Sequence, residues 1–309
     1  MKRRTFLSAT VAGIGAASVA RAAEQAPMPM RTLGKSGLHV SWFCLGGFHM
    51  RKNGLDNAVK MIDRALDLGV TFFDSANKYH DGASDEAYGA AFGGSSSKRQ
   101  KALLMSKAQL RTEAEATEQL EQTLRRMKTD YLDLWQCHEV SRMDEVERIF
   151  GPKGSYEAFV KAKKAGKVRH IGFTGHHDPA VHMALLNGGD DWETIQHPVN
   201  LIDPHYLSFR PVMQAAREKG LGLIAMKTNA IGHITANRIA TIPECLRYAM
   251  ARRPDVIVSG VETLEQLDEN VATIKTAQPF SDQEIETLLS RTAKTKIGPE
   301  VEQYKRKEA

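Results

Sequence analysis

From residue 30 onward, short apolar runs alternate with segments whose apolar residues return every three to four positions. The runs fall at residues 41–45, 71–74, 102–106, 131–137, 170–174, 194–197, 222–226 and 256–259, and their brevity predicts strands. The intervening helical segments fall at 55–68, 85–92, 115–127, 155–164, 179–186, 211–219, 242–252 and 264–276. Several end on glycine signals, as in Asp67-Leu68-Gly69, Lys164-Ala165-Gly166 and Glu218-Lys219-Gly220. Strand–helix alternation with short links implies parallel strands and right-handed crossovers. Eight strands suit a closed barrel. An open doubly wound sheet also alternates, but it favours a glycine-rich phosphate turn after its first strand, and Leu45-Gly46-Gly47-Phe48 lacks the third glycine. The expectation is an α/β chain, a (β/α)8 TIM barrel, preceded by a β-hairpin around Gly34-Lys35-Ser36-Gly37. Residues 93–99 and 141–154 read as loops, the second either a wall of a pocket or a solvated helix.

The first residues break this pattern. A basic head, a dilute apolar run and the end Ala20-Arg21-Ala22 predict an export signal over residues 1–22, a linker over 23–29 and the barrel over 30–309. Glycine, alanine and serine dilute the run too far for a membrane span, which needs about 20 apolar residues. Arg3 and Arg4, followed by Phe6 and Leu7, resemble a twin-arginine signal. That reading implies an export machinery as partner and a periplasmic or secreted destination. A leader that is only a basic tail leaves the chain in the cytoplasm. Removing Lys2, Arg3, Arg4 and Arg21 with no acid lowers the formal charge from +5 to +1. With no basic stripe interleaved with aromatics, nucleic acid is not an expected partner, and small molecules are. Cys44, Cys137 and Cys245 form no CxxC pair, so neither an iron–sulfur cluster nor a disulfide framework is indicated.

Polar residues stand at three predicted strand ends where apolar ones belong: Asp74 with Tyr79 just beyond it, Lys107, and His138. Singly these read as a cap, a half-buried ring, a surface lysine and a histidine bonded to a carbonyl. Together they make acid–base chemistry. A phenol with a pKa near ~10 donates protons sluggishly at neutral pH. An ammonium ~4 Å away, at an effective dielectric of ~20, favours the phenolate by about 4 kcal/mol, roughly three pK units before desolvation. A carboxylate keeps that ammonium charged in a buried place. A histidine can then orient an oxygen by a hydrogen bond.

The hairpin followed by VSWFCLGG, the segment FFDSANKY, the SK of the third strand, the QCHE of the fourth and the late SGVETLEQLDEN resemble the aldo-keto reductase superfamily, from about residue 30 to about 277. The resemblance places the catalytic tetrad of that family on Asp74, Tyr79, Lys107 and His138. It implies an NAD(P)-dependent oxidoreductase that moves a hydride between nicotinamide and a carbonyl or alcohol, with Tyr79 as general acid/base. By the same resemblance Thr174 and Gln196 hold the carboxamide, Gly175 replacing the usual amide side chain. Met226 takes the place of a stacking aromatic, packing on the ring or in the core, and Lys227 reaches the pyrophosphate or solvent. At the adenine end the matching residues are Gly260, Glu262, Gln266, Glu269 and Asn270. Glu262 would repel a 2′-phosphate and accept from a ribose hydroxyl, which favours NAD over NADP unless it turns outward.

His176 and His177, in a GHHD stretch, are expected to line the substrate pocket. Adjacent histidines without HxxxH or CxxC spacing do not predict a metal site. The tail beyond Ser281 reads as a polar helix and a segment with few apolar residues, leaving an open pocket suited to a polar carbonyl. The alternative function is a non-catalytic nicotinamide-nucleotide-binding barrel, a redox-sensing or assembly subunit. Free nicotinamide nucleotide is expected to be scarce outside the cytoplasm.

Overall fold

The computed structural model describes residues 26–306; the proposed signal and its cleavage point lie outside them. A two-stranded antiparallel hairpin, β1 (Met30–Thr32) and β2 (His39–Ser41), precedes eight parallel strands. These are β3 (Phe43–Gly46), β4 (Phe72–Asp74), β5 (Leu103–Ala108), β6 (Leu132–Cys137), β7 (Val168–Thr174), β8 (Thr194–Pro198), β9 (Gly222–Met226) and β10 (Val256–Gly260). They pair in sequence order and close by β10 on β3, making the expected barrel. Residues 41–45, predicted as one strand, divide at Trp42. The Ser41 hydroxyl donates to Phe43 O at 2.6 Å and accepts from Thr71 N at 2.9 Å, which turns the chain from hairpin into barrel.

Both faces of each barrel strand are covered, so the strands read as nearly continuous apolar runs rather than alternating ones. Outward residues such as Phe43, Phe73, Leu104, Trp135 and Phe173 pack with the helices. Inward residues Cys44, Phe72, Met105, Leu134, Ile224 and Val256 form a separate cluster, completed from below by Leu33 and Val40 of the hairpin. Gly34 explains the tight seat of that plug. It has a φ of +48°, and a Cβ there would overlap the Gly222 amide at the start of β9. The predicted helix-ending glycines Gly69, Gly166 and Gly220 all have positive φ.

Three segments depart from the sequence reading. Residues 93–99 are not wholly a loop: Ser96–Gln100 is a short helix whose Lys98 N–H donates to Ser95 Oγ. The stretch 141–154 contains the helix Met143–Phe150 and also faces the cavity described below. The tail takes part in the barrel mouth, with Gln303 and Tyr304 on the cavity described below. Past the helix Asp282–Thr292 it folds back, burying Val301, Glu302 and Lys305. Lys305 donates to Asp203 at 3.0 Å and pairs with Glu302 at 2.9 Å, so charges that read as exposed satisfy one another inside.

Candidate functional site

Period-two geometry brings the predicted group together. Phe72 and Met105 face the barrel interior, so Asp74 and Lys107, each two residues further along, face inward nearer the C-terminal mouth. Lys107 Nζ ion-pairs with Asp74, donates to Ser75 O at 2.6 Å, and lies 3.4 Å from the Tyr79 hydroxyl. Tyr79 begins the 3-10 turn after β4, and its ring meets His138 edge-on at 5.6 Å. His138 follows β6 directly and is buried, its Nδ1 without a hydrogen-bond partner among the described residues.

Burial and charge set the protonation of this group. Burial works against the charge on Lys107, but the attractions of Asp74 and Tyr79 outweigh it and hold the ammonium above its ordinary pKa. For Tyr79 burial outweighs the expected effect of the ammonium: it pushes the phenol up to about 12, against the downward pull of Lys107. Burial, with Lys107 and Lys78 nearby, depresses His138 well below its ordinary value, so its imidazole is neutral.

Above His138 opens a cavity of about 680 Å³ bounded by the loops after β5, β6, β7 and β9 and by the tail. His176 and His177 line it as expected, with Lys227. His176 Nε2 lies 3.4 Å from Glu139, and His177 Nδ1 lies 3.0 Å from Tyr304 O. Sequence reasoning missed several of its walls. Arg111 donates to His138 O at 2.9 Å and to Glu145 at 3.0 Å, bracing the loop that carries the imidazole. Gln119 accepts from Gln109 N at 2.9 Å and donates to Asn77 at 3.2 Å, tying together the loops after β4 and β5. Tyr304 and Gln303 arrive from the tail. The sequence carried no signal for them; in the structure Glu139, Lys227 and Ile231, all on this cavity, are non-glycine residues held at positive φ.

The expected cofactor residues sort unevenly. Thr174 and Gln196 are buried side by side in register on β7 and β8, and Gln196 Oε1 has no partner among the described residues. That orphaned acceptor fits a carboxamide N–H. Gly175 has no room for the usual amide side chain: a Cβ would come within 2.6 Å of Val140 O and 2.7 Å of His182 Cε1. Met226 packs against the interior cluster. Lys227 lies in the cavity, over the Tyr304 ring at 4.8 Å. At the far end Gly260 abuts Gly46 and His49, where a Cβ would clash. Gln266 accepts from Glu262 N at 2.8 Å, and Asn270 donates to Ser259 Oγ at 3.1 Å. Glu269 is exposed. Glu262 is not the bare carboxylate that favoured NAD: Lys52 Nζ sits 2.8 Å from it, so the basic charge missing from its own strand end comes from the segment after β3. The lean towards NAD loses its ground.

Cys44, Cys137 and Cys245 are buried free thiols. Among the described residues no cluster of three or more His, Cys, Asp or Glu is placed to hold a metal, and no helix is long and apolar enough to cross a membrane.

Comparison with known proteins agrees with the fold. The uncharacterized oxidoreductase YrpG of Bacillus subtilis is 30% identical over 233 residues, covering 65% of this chain and 66% of that protein. The fold is like that of the holo aldo-keto reductase AKR11C1 from Bacillus halodurans, with a TM-score of 0.72 at 22% identity over 89% of this chain and 99% of that one. It is also like an aldo-keto reductase from Klebsiella pneumoniae in complex with NADPH, with a TM-score of 0.68 at 21% identity over 86% of this chain and 96% of that one. The sequence profile of the Aldo/keto reductase family, whose members are NAD(P)-dependent oxidoreductases, matches residues 43–244, and this chain belongs to that family.

Proposed function

We propose that this chain interconverts a carbonyl and an alcohol with NAD(P), Tyr79 acting as general acid in reduction and general base in oxidation. The observation that carries the reading is the buried triad in which Lys107 reaches both Asp74 and the Tyr79 hydroxyl beneath a cavity floored by His138. Gln196 and Thr174 would hold the carboxamide, and the loop from Gly260 to Asn270 the adenosine. When bound, the nicotinamide supplies the hydride chemistry. The chain supplies the proton and the orientation. Tyr79 gives its proton to the carbonyl oxygen as negative charge gathers there, and the ammonium of Lys107 stabilises the phenolate left behind. Asp74 keeps Lys107 charged and aimed, a positioning role. Neutral His138 offers an N–H to the same oxygen.

NADP is the expected partner at least as much as NAD, because Lys52 offsets Glu262. The leader supports a further proposal: export of the folded chain with its nucleotide already in place, to a periplasmic or secreted location. The test of the central reading is Tyr79→Phe. Turnover of an aldehyde panel, followed by the loss of reduced-nicotinamide absorbance, should fall at least ~10²-fold, with nucleotide binding by fluorescence titration retained. Wild-type rates in that variant would remove Tyr79 from its role.

A further inference from the structure

The charges around the cavity pair off with one exception. Arg111 bonds Glu145 at 3.0 Å, Lys107 bonds Asp74, and Lys78 bonds Glu139, which also takes His176 at 3.4 Å. The Lys227 ammonium has no ion pair and no hydrogen bond among the described residues, although the residue's carbonyl accepts from Ala230 N at 2.8 Å. Its ammonium lies 4.8 Å from the centroid of the Tyr304 ring. That ring is fixed from behind: its hydroxyl donates to Glu302 at 2.6 Å and accepts from Asn200 at 3.2 Å. A π face offsets part of an ammonium's lost hydration, but less than a carboxylate does.

The backbone also holds Lys227 in place. It has a φ of +54°, in a turn where Ala230 and Ile231 are left-handed as well. Such conformations are disfavoured for residues with a Cβ and persist where the surroundings enforce them. The charge also reaches the chemistry, since Lys227 acts electrostatically on Asp74 and on His176. Burial pulls its own pKa down to about 8, against the attraction of Glu139, and it is still largely protonated at neutral pH. No residue of the loop after β10 lines this cavity, whereas His138 and His176 do. Lys227 therefore shares the cavity of His138 and His176, and it also acts on His49, which packs against Gly260, so it stands between the reacting end and the adenosine end.

We infer that Lys227 anchors an anionic group, carboxylate or phosphate, on the carbonyl substrate, with Tyr304 backing the ammonium and His138 at the reacting oxygen. This rests on the reductase reading above and narrows its substrate class. The same chemistry has a second source, the phosphates of the dinucleotide, and the experiment separates the two.

The probes are succinic semialdehyde and butanal, four-carbon aldehydes that differ by a terminal carboxylate. The full chain should favour the charged aldehyde in kcat/KM. Lys227→Met should lower that preference by about tenfold to a hundredfold, the span of a lost charged hydrogen bond, and Lys227→Arg should recover most of it. A second readout needs no turnover: calorimetric titration of succinate into the protein–nucleotide complex should weaken about tenfold or more in Lys227→Met. An unchanged preference and unchanged succinate affinity overturn the inference. So does weakened nucleotide affinity with succinate unaffected, which would give Lys227 to the dinucleotide phosphates. If wild-type chain reduces neither aldehyde, the reductase reading is what suffers, and the succinate titration alone decides the fate of the anchor.

Discussion

Burial raises the pKa of both Asp74 and Tyr79, and the lysine buried between them pulls each back down. Replacing Asp74 with Asn leaves Lys107 inside the barrel without its counter-charge, a loss worth about 3–5 kcal/mol when one member of a buried pair goes. Chemical denaturation should show that loss, and reduction should slow with it. The acid–base residues also set the pH response. Tyr79, pushed up to about 12, stays protonated through neutral pH, and His138, held well below its usual value, stays neutral. The kcat/KM of reduction should therefore be flat from about pH 6 to 8, whereas alcohol oxidation, which needs the phenolate, should rise about tenfold per pH unit. An inflection near 6.5 in the reductive profile would return His138 to the ionised groups. Asp74, Lys107 and His138 were legible because each stands at the end of an apolar strand, and Tyr79 because it follows Asp74 in the FFDSANKY segment. Arg111, Gln119 and Lys52 were not: each acts across a distance that only the folded chain defines, on His138 O, on Asn77 and on Glu262.

Strands and helices emerged from periodicity to within a few residues, since burial on both faces of the barrel and on one face of each helix writes itself into the pattern. The hairpin was also legible from its glycines, though not its work as a plug. Gly34→Ala should lower the melting temperature by several degrees, because its positive φ and the neighbouring Gly222 amide both refuse a methyl group. The tail was misread because pattern reasoning sends Glu302, Tyr304 and Lys305 to solvent, whereas their hydrogen bonds to one another, Asn200 and Asp203 let them go inside. Lys305→Met should destabilise the chain by about 3–5 kcal/mol, leaving two carboxylates without their cation. Urea titration at neutral pH checks this, and a change under 1 kcal/mol would mean the tail is not anchored by that cluster.

At the scale of the molecule, fold class came from counting: eight strand–helix units and no phosphate turn that would signal an open sheet. The proposed destination rests on residues outside those the structure describes. Changing both Arg3 and Arg4 to Lys should trap the chain in the cytoplasm, as cell fractionation would show; unchanged fractionation would exclude the twin-arginine route. The closure of β10 upon β3 bears on the same question. During synthesis Phe43 is made early and Ile257, its partner across the seam, very late. Until the ribosome has finished almost the whole chain, the first barrel strand keeps a bare flank with peptide groups open to any passing strand. Export of the folded chain, as proposed, would come only after that seam has closed and the flank is covered.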